Sequence, residues 1–160
     1  MEKINIEIEM ENGGVISAEL YPETAPITVE NFVGLIEDNF FDGLIFHRVI
    51  PGFMIQGGGY SADGSHKDAA AIKGEFDSNG VKNDLKHTRG VLSMARTMFP
   101  NSASSQFFIM HDDAPHLDGQ YAAFGMVTDG MDVVDEIAEA ETDYQDKPIE
   151  NQIIKTIRLV

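Results

Sequence analysis

The chain contains no cysteine in its 160 residues. Disulfides, thiol nucleophiles and thiolate metal sites are thereby excluded, and the composition is compatible with a reducing cytoplasm. No run approaches the roughly 18 apolar residues that a membrane-spanning helix requires. The start, Met1-Glu2-Lys3-Ile4-Asn5, alternates polar with apolar and lacks a basic stretch followed by an apolar one, so no secretory signal is expected. Positive charge is scarce as well: 11 Lys and Arg stand against 27 Asp and Glu, a formal net charge of −16. Such a surface repels nucleic acid and anionic lipid. The acidity serves solubility or an acidic host proteome on one reading, and a specific basic partner on the other. No internal repeat and no linker interrupts the chain, so one domain over residues 1–160 is expected, as a cytoplasmic monomer with neither nucleic acid nor membrane as a partner.

What is present is enough apolar material for a core: 42% of residues are hydrophobic against 24% charged, which places the chain among globular rather than disordered proteins. Ile4, Ile6, Ile8 and Met10 alternate with Asn5, Glu7 and Glu9, the period-two pattern of a half-buried strand. Asn12-Gly13 follows as a hairpin turn signal, and Ile16, Ala18 and Leu20 resume the alternation. After Pro26, suited to a first helical position, Val29, Phe32, Val33 and Ile36 form an apolar stripe that predicts a helix over 26–38.

Beyond Leu44 the pattern breaks into short strands at 45–50, 54–57, 91–95, 106–110 and 122–127. A second helix is expected near 131–140 and a final strand over 153–160. Residues 57–85, rich in Gly, Ser, Asp and Ala, read as long surface loops. About seven short strands with two helices predict a mainly β fold, a closed antiparallel barrel with helical plugs, since closure removes exposed sheet edges.

One segment stands out chemically: Phe46-His47-Arg48-Val49-Ile50-Pro51-Gly52-Phe53-Met54-Ile55-Gln56-Gly57-Gly58. A bend at Pro51-Gly52 would fold Arg48 back towards Phe53, Met54 and Gln56. That sets one cation beside an apolar, aromatic patch, and arginine tolerates partial burial because it stays charged and offers a planar fork of donors. The residues alone also allow Arg48 as an ordinary surface charge and its apolar neighbours as core. Further along, Phe107 and Phe108 point to opposite faces of a strand, so one can enter the core while the other lines a pocket.

The sequence resembles the cyclophilins. The segment 46–58 is similar to that family's signature nearly residue for residue. Leu92-Ser93-Met94-Ala95, Ser105-Gln106-Phe107-Phe108-Ile109, Leu117-Asp118-Gly119 and Phe124-Gly125 follow in the family's order, and Thr28-Val29-Glu30-Asn31-Phe32 resembles its first helix. The resemblance spans almost the whole chain. It implies a closed eight-stranded antiparallel β-barrel capped by two α-helices, and a peptidyl-prolyl cis/trans isomerase without metal, nucleotide or covalent intermediate. It further implies Arg48 and Gln56 as the catalytic pair. Phe53, Met54, Phe108 and Leu117 would hold the proline ring, with Ala95, Arg96, Gln106, His116 and Tyr121 as further substrate-binding positions. Partners would be proline-containing peptides and unfolded or partly folded proteins.

Three departures from the family pattern bear on specificity. His116 stands where many members have a tryptophan associated with tight cyclosporin binding, so weaker cyclosporin binding is expected; read by itself, it is a plain loop histidine. Tyr121 replaces a histidine but remains an aromatic able to keep a packing role. The loop 96–101 is one residue longer than in the common eukaryotic form, and the loop 59–73 is divergent; both bear on substrate preference.

Other chemistries lack their motifs. His47, His66, His87, His111 and His116 show no metal-ligand spacing, Gly57-Gly58-Gly59 lacks the Lys-Ser/Thr of a phosphate loop, and no serine sits in a G-x-S-x-G elbow. The rival from another class is a peptide-binding or chaperone module on the same fold.

Overall fold

A computed structural model describes residues 2–160. The period-two segments pair as expected: β1 (Ile4–Met10) and β2 (Val15–Leu20) form an antiparallel hairpin with Ile4 opposite Leu20 and Ile8 opposite Ile16. The remaining strands are β3 (Leu44–Ile50), β4 (Met54–Ser61), β5 (Val91–Met94), β6 (Phe107–Met110), β7 (Ala123–Asp129) and β8 (Ile154–Leu159). They make one eight-stranded sheet in the order β3-β4-β6-β5-β7-β2-β1-β8, and each pairing is antiparallel. The two end strands meet: Ile45 bridges Ile153, the Phe46 N–H donates to the Gln152 carbonyl at 3.0 Å and the Gly43 N–H to the Ile154 carbonyl at 2.9 Å. The sheet thereby closes into a barrel, leaving little free edge.

The barrel interior is filled by phenylalanines. Phe32 lies 5.0 Å from Phe41, 5.2 Å from Phe107 and 5.0 Å from Phe124, ring centre to ring centre. These are tilted or edge-on contacts, the geometry favoured by the ring quadrupole. Phe32 comes from α1 (Pro26–Glu37), which plugs the barrel with Thr28, Val29, Phe32 and Ile36. The expected stripe was Val29, Phe32, Val33 and Ile36; Val33 turns out half-buried and Thr28 takes the inner place. The reason lies 47 residues away. Ala25 offers no side chain to cap the helix, and Glu75 caps it instead: its carboxylate accepts from the Thr28 N–H (2.7 Å), the Thr28 hydroxyl (2.7 Å) and the Ile27 N–H (3.2 Å). Free N–H groups at a helix start suit an anion. The second helix, α2 (Met131–Ala138), buries Val133, Val134, Ile137 and Ala138.

The triple glycine was expected to open a loop at residue 57, but β4 runs on to Ser61. Glycine is depleted in strands for lack of packing area, yet here the absence of a side chain is what the packing requires. A Cβ on Gly59 would lie 2.5 Å from the Gln106 side chain, which occupies that space. Among the described residues, no helix is long and apolar enough to cross a membrane.

Candidate active site

The site begins with register. Arg48 on β3 faces Gln56 on β4, Gln56 faces Phe108 on β6, and Phe108 faces Ser93 on β5. Residues directly opposite in antiparallel strands project to the same side of the sheet. Four positions from four strands therefore form one row on the outside of the barrel. Phe107, one residue from Phe108, points the other way and is fully buried in the barrel core, as the alternation predicts.

A cavity of about 230 Å³ lies over this row, lined by Arg48, Phe53, Met54, Gln56, Ala95, Arg96, Phe108, Leu117 and Tyr121. Nine of the residues singled out in the sequence thus converge. Two do not reach the lining. Gln106 sits one step aside, in a neighbouring cavity of about 240 Å³ that shares Gln56, Ala95 and Arg96 with the first. It still bears on the site, because its side-chain oxygen accepts from the Gln56 amide at 3.0 Å. His116 is exposed on the short 3₁₀ turn Pro115–Leu117, which directs Leu117 inward and His116 outward. Its ring flanks that of Phe53 at 5.9 Å.

The hairpin between β3 and β4 carries four of the lining residues. Its turn at Pro51-Gly52 requires a glycine, since Gly52 has φ +78°. The turn is tied down by His111. The Gly52 N–H donates to His111 Nδ1 at 2.8 Å, and the other ring nitrogen lies 3.0 Å from Asp135, whose carboxylate also takes a two-pronged bond from Arg89 at 2.8 and 2.9 Å.

The two arginines of the pocket are held differently. Arg48 is exposed, makes no ion pair among the described residues, and has one long hydrogen bond, 3.4 Å, to the Gln56 side-chain oxygen. The bond from Gln56 to Gln106 turns that oxygen towards Arg48. Arg96 has its guanidinium fully engaged: it donates to the Gln120 carbonyl (3.1 and 2.7 Å) and the Thr97 carbonyl (2.9 Å), and stacks on Phe76 (4.7 Å) and Tyr121 (4.8 Å). Its backbone N–H and C=O, by contrast, have no hydrogen-bond partner among the described residues. They are free to pair with an extended peptide.

Beneath Phe108 lies a network that the sequence did not disclose. His87 Nδ1 is 3.1 Å from Asp118, His87 Nε2 is 2.9 Å from the Ser93 hydroxyl, and the His87 ring stacks on Phe108 at 6.0 Å. The set imitates a hydrolase triad, but Ser93 is wholly buried and its hydroxyl is spent on His87, so it cannot attack a substrate. It is a polar strut under the pocket floor. Burial lowers the His87 pKa below its ordinary 6.5 despite the opposing bond and charge of Asp118, which keeps the ring neutral. The available signal was Ser93 itself, a hydroxyl inside an otherwise apolar strand.

An apolar cup with one loosely held planar cation at its edge is suited to a neutral ring next to a polar bond. Sequence comparison decides which. Residues 5–159 match the family described as cyclophilin type peptidyl-prolyl cis-trans isomerase/CLD.

The chain belongs to the cyclophilin family.

It is accordingly a peptidyl-prolyl cis-trans isomerase. A protein of Acinetobacter baylyi named peptidyl-prolyl cis-trans isomerase is 51% identical over 145 residues, covering 86% of this chain and 74% of that one. Peptidyl-prolyl cis-trans isomerase B of Escherichia coli is 42% identical over 158 residues, covering 91% and 94%. Among solved structures, a cyclophilin type isomerase of Cryptosporidium parvum superposes with a TM-score of 0.85 at 31% identity, covering 99% of this chain and 98% of that one. The same protein was solved in the presence of the dipeptide Ala-Pro, with a TM-score of 0.83. The eight-stranded barrel with two helices is thus the cyclophilin fold, as the resemblance implied.

Proposed function

We propose that this cyclophilin catalyses rotation about X-Pro bonds by holding the proline ring in the cup formed by Phe53, Met54, Phe108 and Leu117 while Arg48 stabilises the twisted amide. The barrier to be lowered is about 18–20 kcal/mol and arises from amide resonance. Twisting ends that resonance, and the prolyl nitrogen becomes pyramidal with a usable lone pair. A fixed donor at that nitrogen favours the twisted state over the planar one, and each ~1.4 kcal/mol of such difference is a tenfold gain in rate. Gln56 orients the guanidinium, and the free backbone groups of Arg96 take the residue before proline in a strand-like pairing. No bond to the protein forms or breaks, and no cofactor is called for.

The observation that carries this reading is the contrast within one pocket between an apolar cup and a guanidinium left without a strong partner. Substrates are proline-containing peptides and partly folded proteins, a folding-helper role in the cytoplasm. The chain acts as one domain and as a monomer, with neither nucleic acid nor membrane as a partner. Cyclosporin binds weakly, because His116 is a small, outward-facing ring beside Phe53. The test is cis/trans exchange of a short Ala-Pro peptide with wild type and Arg48→Ala. Acceleration by wild type that is mostly lost in the variant supports the mechanism. Equal acceleration by both removes Arg48 from it, and peptide binding without acceleration makes the chain a binding module.

A further inference from the structure

The loop that leaves β5 carries Met98 and Phe99, which are 85% and 68% exposed. Two adjacent large apolar side chains in water are unfavourable unless something covers them. They do not belong to a loose segment. Ser102 accepts from the Thr97 N–H (2.9 Å) and the Thr97 hydroxyl (2.8 Å) and donates to the Phe99 carbonyl (2.7 Å), while the Phe99 N–H donates to the Thr97 hydroxyl oxygen (3.2 Å). Asn101 ties the far side, accepting from the Gly74 N–H at 3.0 Å and from the Asn79 amide at 2.9 Å. The loop is thus a braced frame whose polar groups bond inward and whose two apolar side chains are presented outward.

Its position relative to the pocket is also defined. Thr97 and Ser102, the two feet of the frame, line the second cavity beside Gln106, and that cavity shares Gln56, Ala95 and Arg96 with the proline cup. A chain paired to the free backbone of Arg96 and continuing past it rises at about 3.3 Å per residue and crosses the second cavity to the frame. We propose that Met98 and Phe99 are a second contact for the client chain: an apolar side chain a few residues upstream of the proline rests on them. The occupant is the same polypeptide whose proline fills the cup, because the two cavities adjoin, with Gln56, Ala95 and Arg96 lining both. This rests on the assignment of the cup to proline and of Arg96 to the preceding residue. It makes the isomerase selective for apolar segments, the kind exposed in partly folded proteins and not in finished ones.

The test uses the full chain and a Met98→Ser/Phe99→Ser variant. Both side chains are exposed, so the fold is expected to survive, and circular dichroism checks it. Exchange rates are measured by NMR for four peptides: a short Ala-Pro peptide, and longer ones with leucine upstream of Ala-Pro, serine in its place, or leucine downstream. Wild type is expected to favour upstream leucine over serine by about tenfold in kcat/KM, the order given by burying part of one apolar side chain. The variant is expected to lose that preference and to turn over the short peptide unchanged. A preference that persists in the variant, that wild type never shows, or that follows downstream leucine overturns the proposal. Arg48→Ala should slow all four peptides alike; if it slows none, the assignment of the cup has failed rather than that of the loop.

Discussion

The pocket has two walls, and each carries an arginine. On the hairpin wall, Arg48 projects from β3 with a single bond of 3.4 Å to Gln56. On the loop wall, Arg96 is clamped by three carbonyls, of Gln120, Thr97 and Met98, and by two aromatic rings. Net charge and pocket membership do not separate them; the saturation of their donors does. A guanidinium with its donors free is an instrument for a substrate. One with its donors satisfied is scaffold, and what it offers a ligand is the backbone it holds still.

The largest effect that would break this comparison is kinetic. Arg48→Ala is expected to lower isomerase activity about 10²- to 10³-fold, the usual loss when one donor aimed at the transition state is removed. Its unfolding free energy should stay within about 0.5 kcal/mol of wild type, because an exposed side chain is lost. Arg48→Lys keeps the charge but not the planar fork and should recover only part of the rate. Activity retained in Arg48→Ala would erase the distinction between the walls.

Arg96→Ala should behave oppositely. Loss of its hydrogen bonds and two ring contacts should destabilise the fold by about 2 kcal/mol in urea denaturation. A loosened Tyr121 wall should raise KM several-fold and leave kcat nearly unchanged. If instead kcat collapses while stability holds, Arg96 is the working cation. A smaller change is expected from His111→Ala, which removes the acceptor of the Gly52 N–H. It should cost about 1 kcal/mol and raise KM a few-fold by freeing the turn below Phe53. An unaltered KM would mean the turn holds without it.

The smallest effect concerns His47, the neighbour of Arg48 on β3. Its pKa is lowered from the ordinary 6.5 to about 4, first by burial and then by the charge of Arg48. Between those values the unfolded chain binds a proton at this residue that the folded chain refuses. The contribution to stability is therefore complete above about pH 6.5 and is lost as pH falls towards about 4. His87, also lowered by burial, acts in the same direction. Urea denaturation across this range should show a shallower acid decline for His47→Gln than for wild type. NMR titration should find the His47 pKa moved upward in Arg48→Ala and unmoved in Arg96→Ala, since Arg48 alone of the two arginines acts on it.

Much of this was legible in the residues. Period-two alternation located the first hairpin, the stripe after Pro26 located the plug helix, and the segment 46–58 with the later blocks supplied residues that line one cavity. The errors have a common cause. Glycines 57–59 read as loop because glycine packs nothing, yet Gly59 lies in a strand to make room for Gln106. Thr28 displaced Val33 from the buried stripe because Glu75, distant in the chain, reaches the helix start. His87, Ser93 and Asp118 gave no motif, since their partnership runs between separate segments.

The sequence by itself determined which segments alternate, which stripe is apolar, where the chain must turn, and which side chains could do chemistry. Those are local properties, written in spacings of two to four residues. Only the tertiary structure decided that Arg48, Gln56, Phe108 and Ser93 stand in one row, that Arg48 commits only one long hydrogen bond, and that Arg96 spends its donors on loop carbonyls. Strand register is set by burying the opposite faces of all the strands at once, and a slip of one residue would turn each side chain to the wrong side. No local pattern carries that information, because the groups that satisfy or spare a side chain come from distant parts of the chain and meet only when the barrel closes.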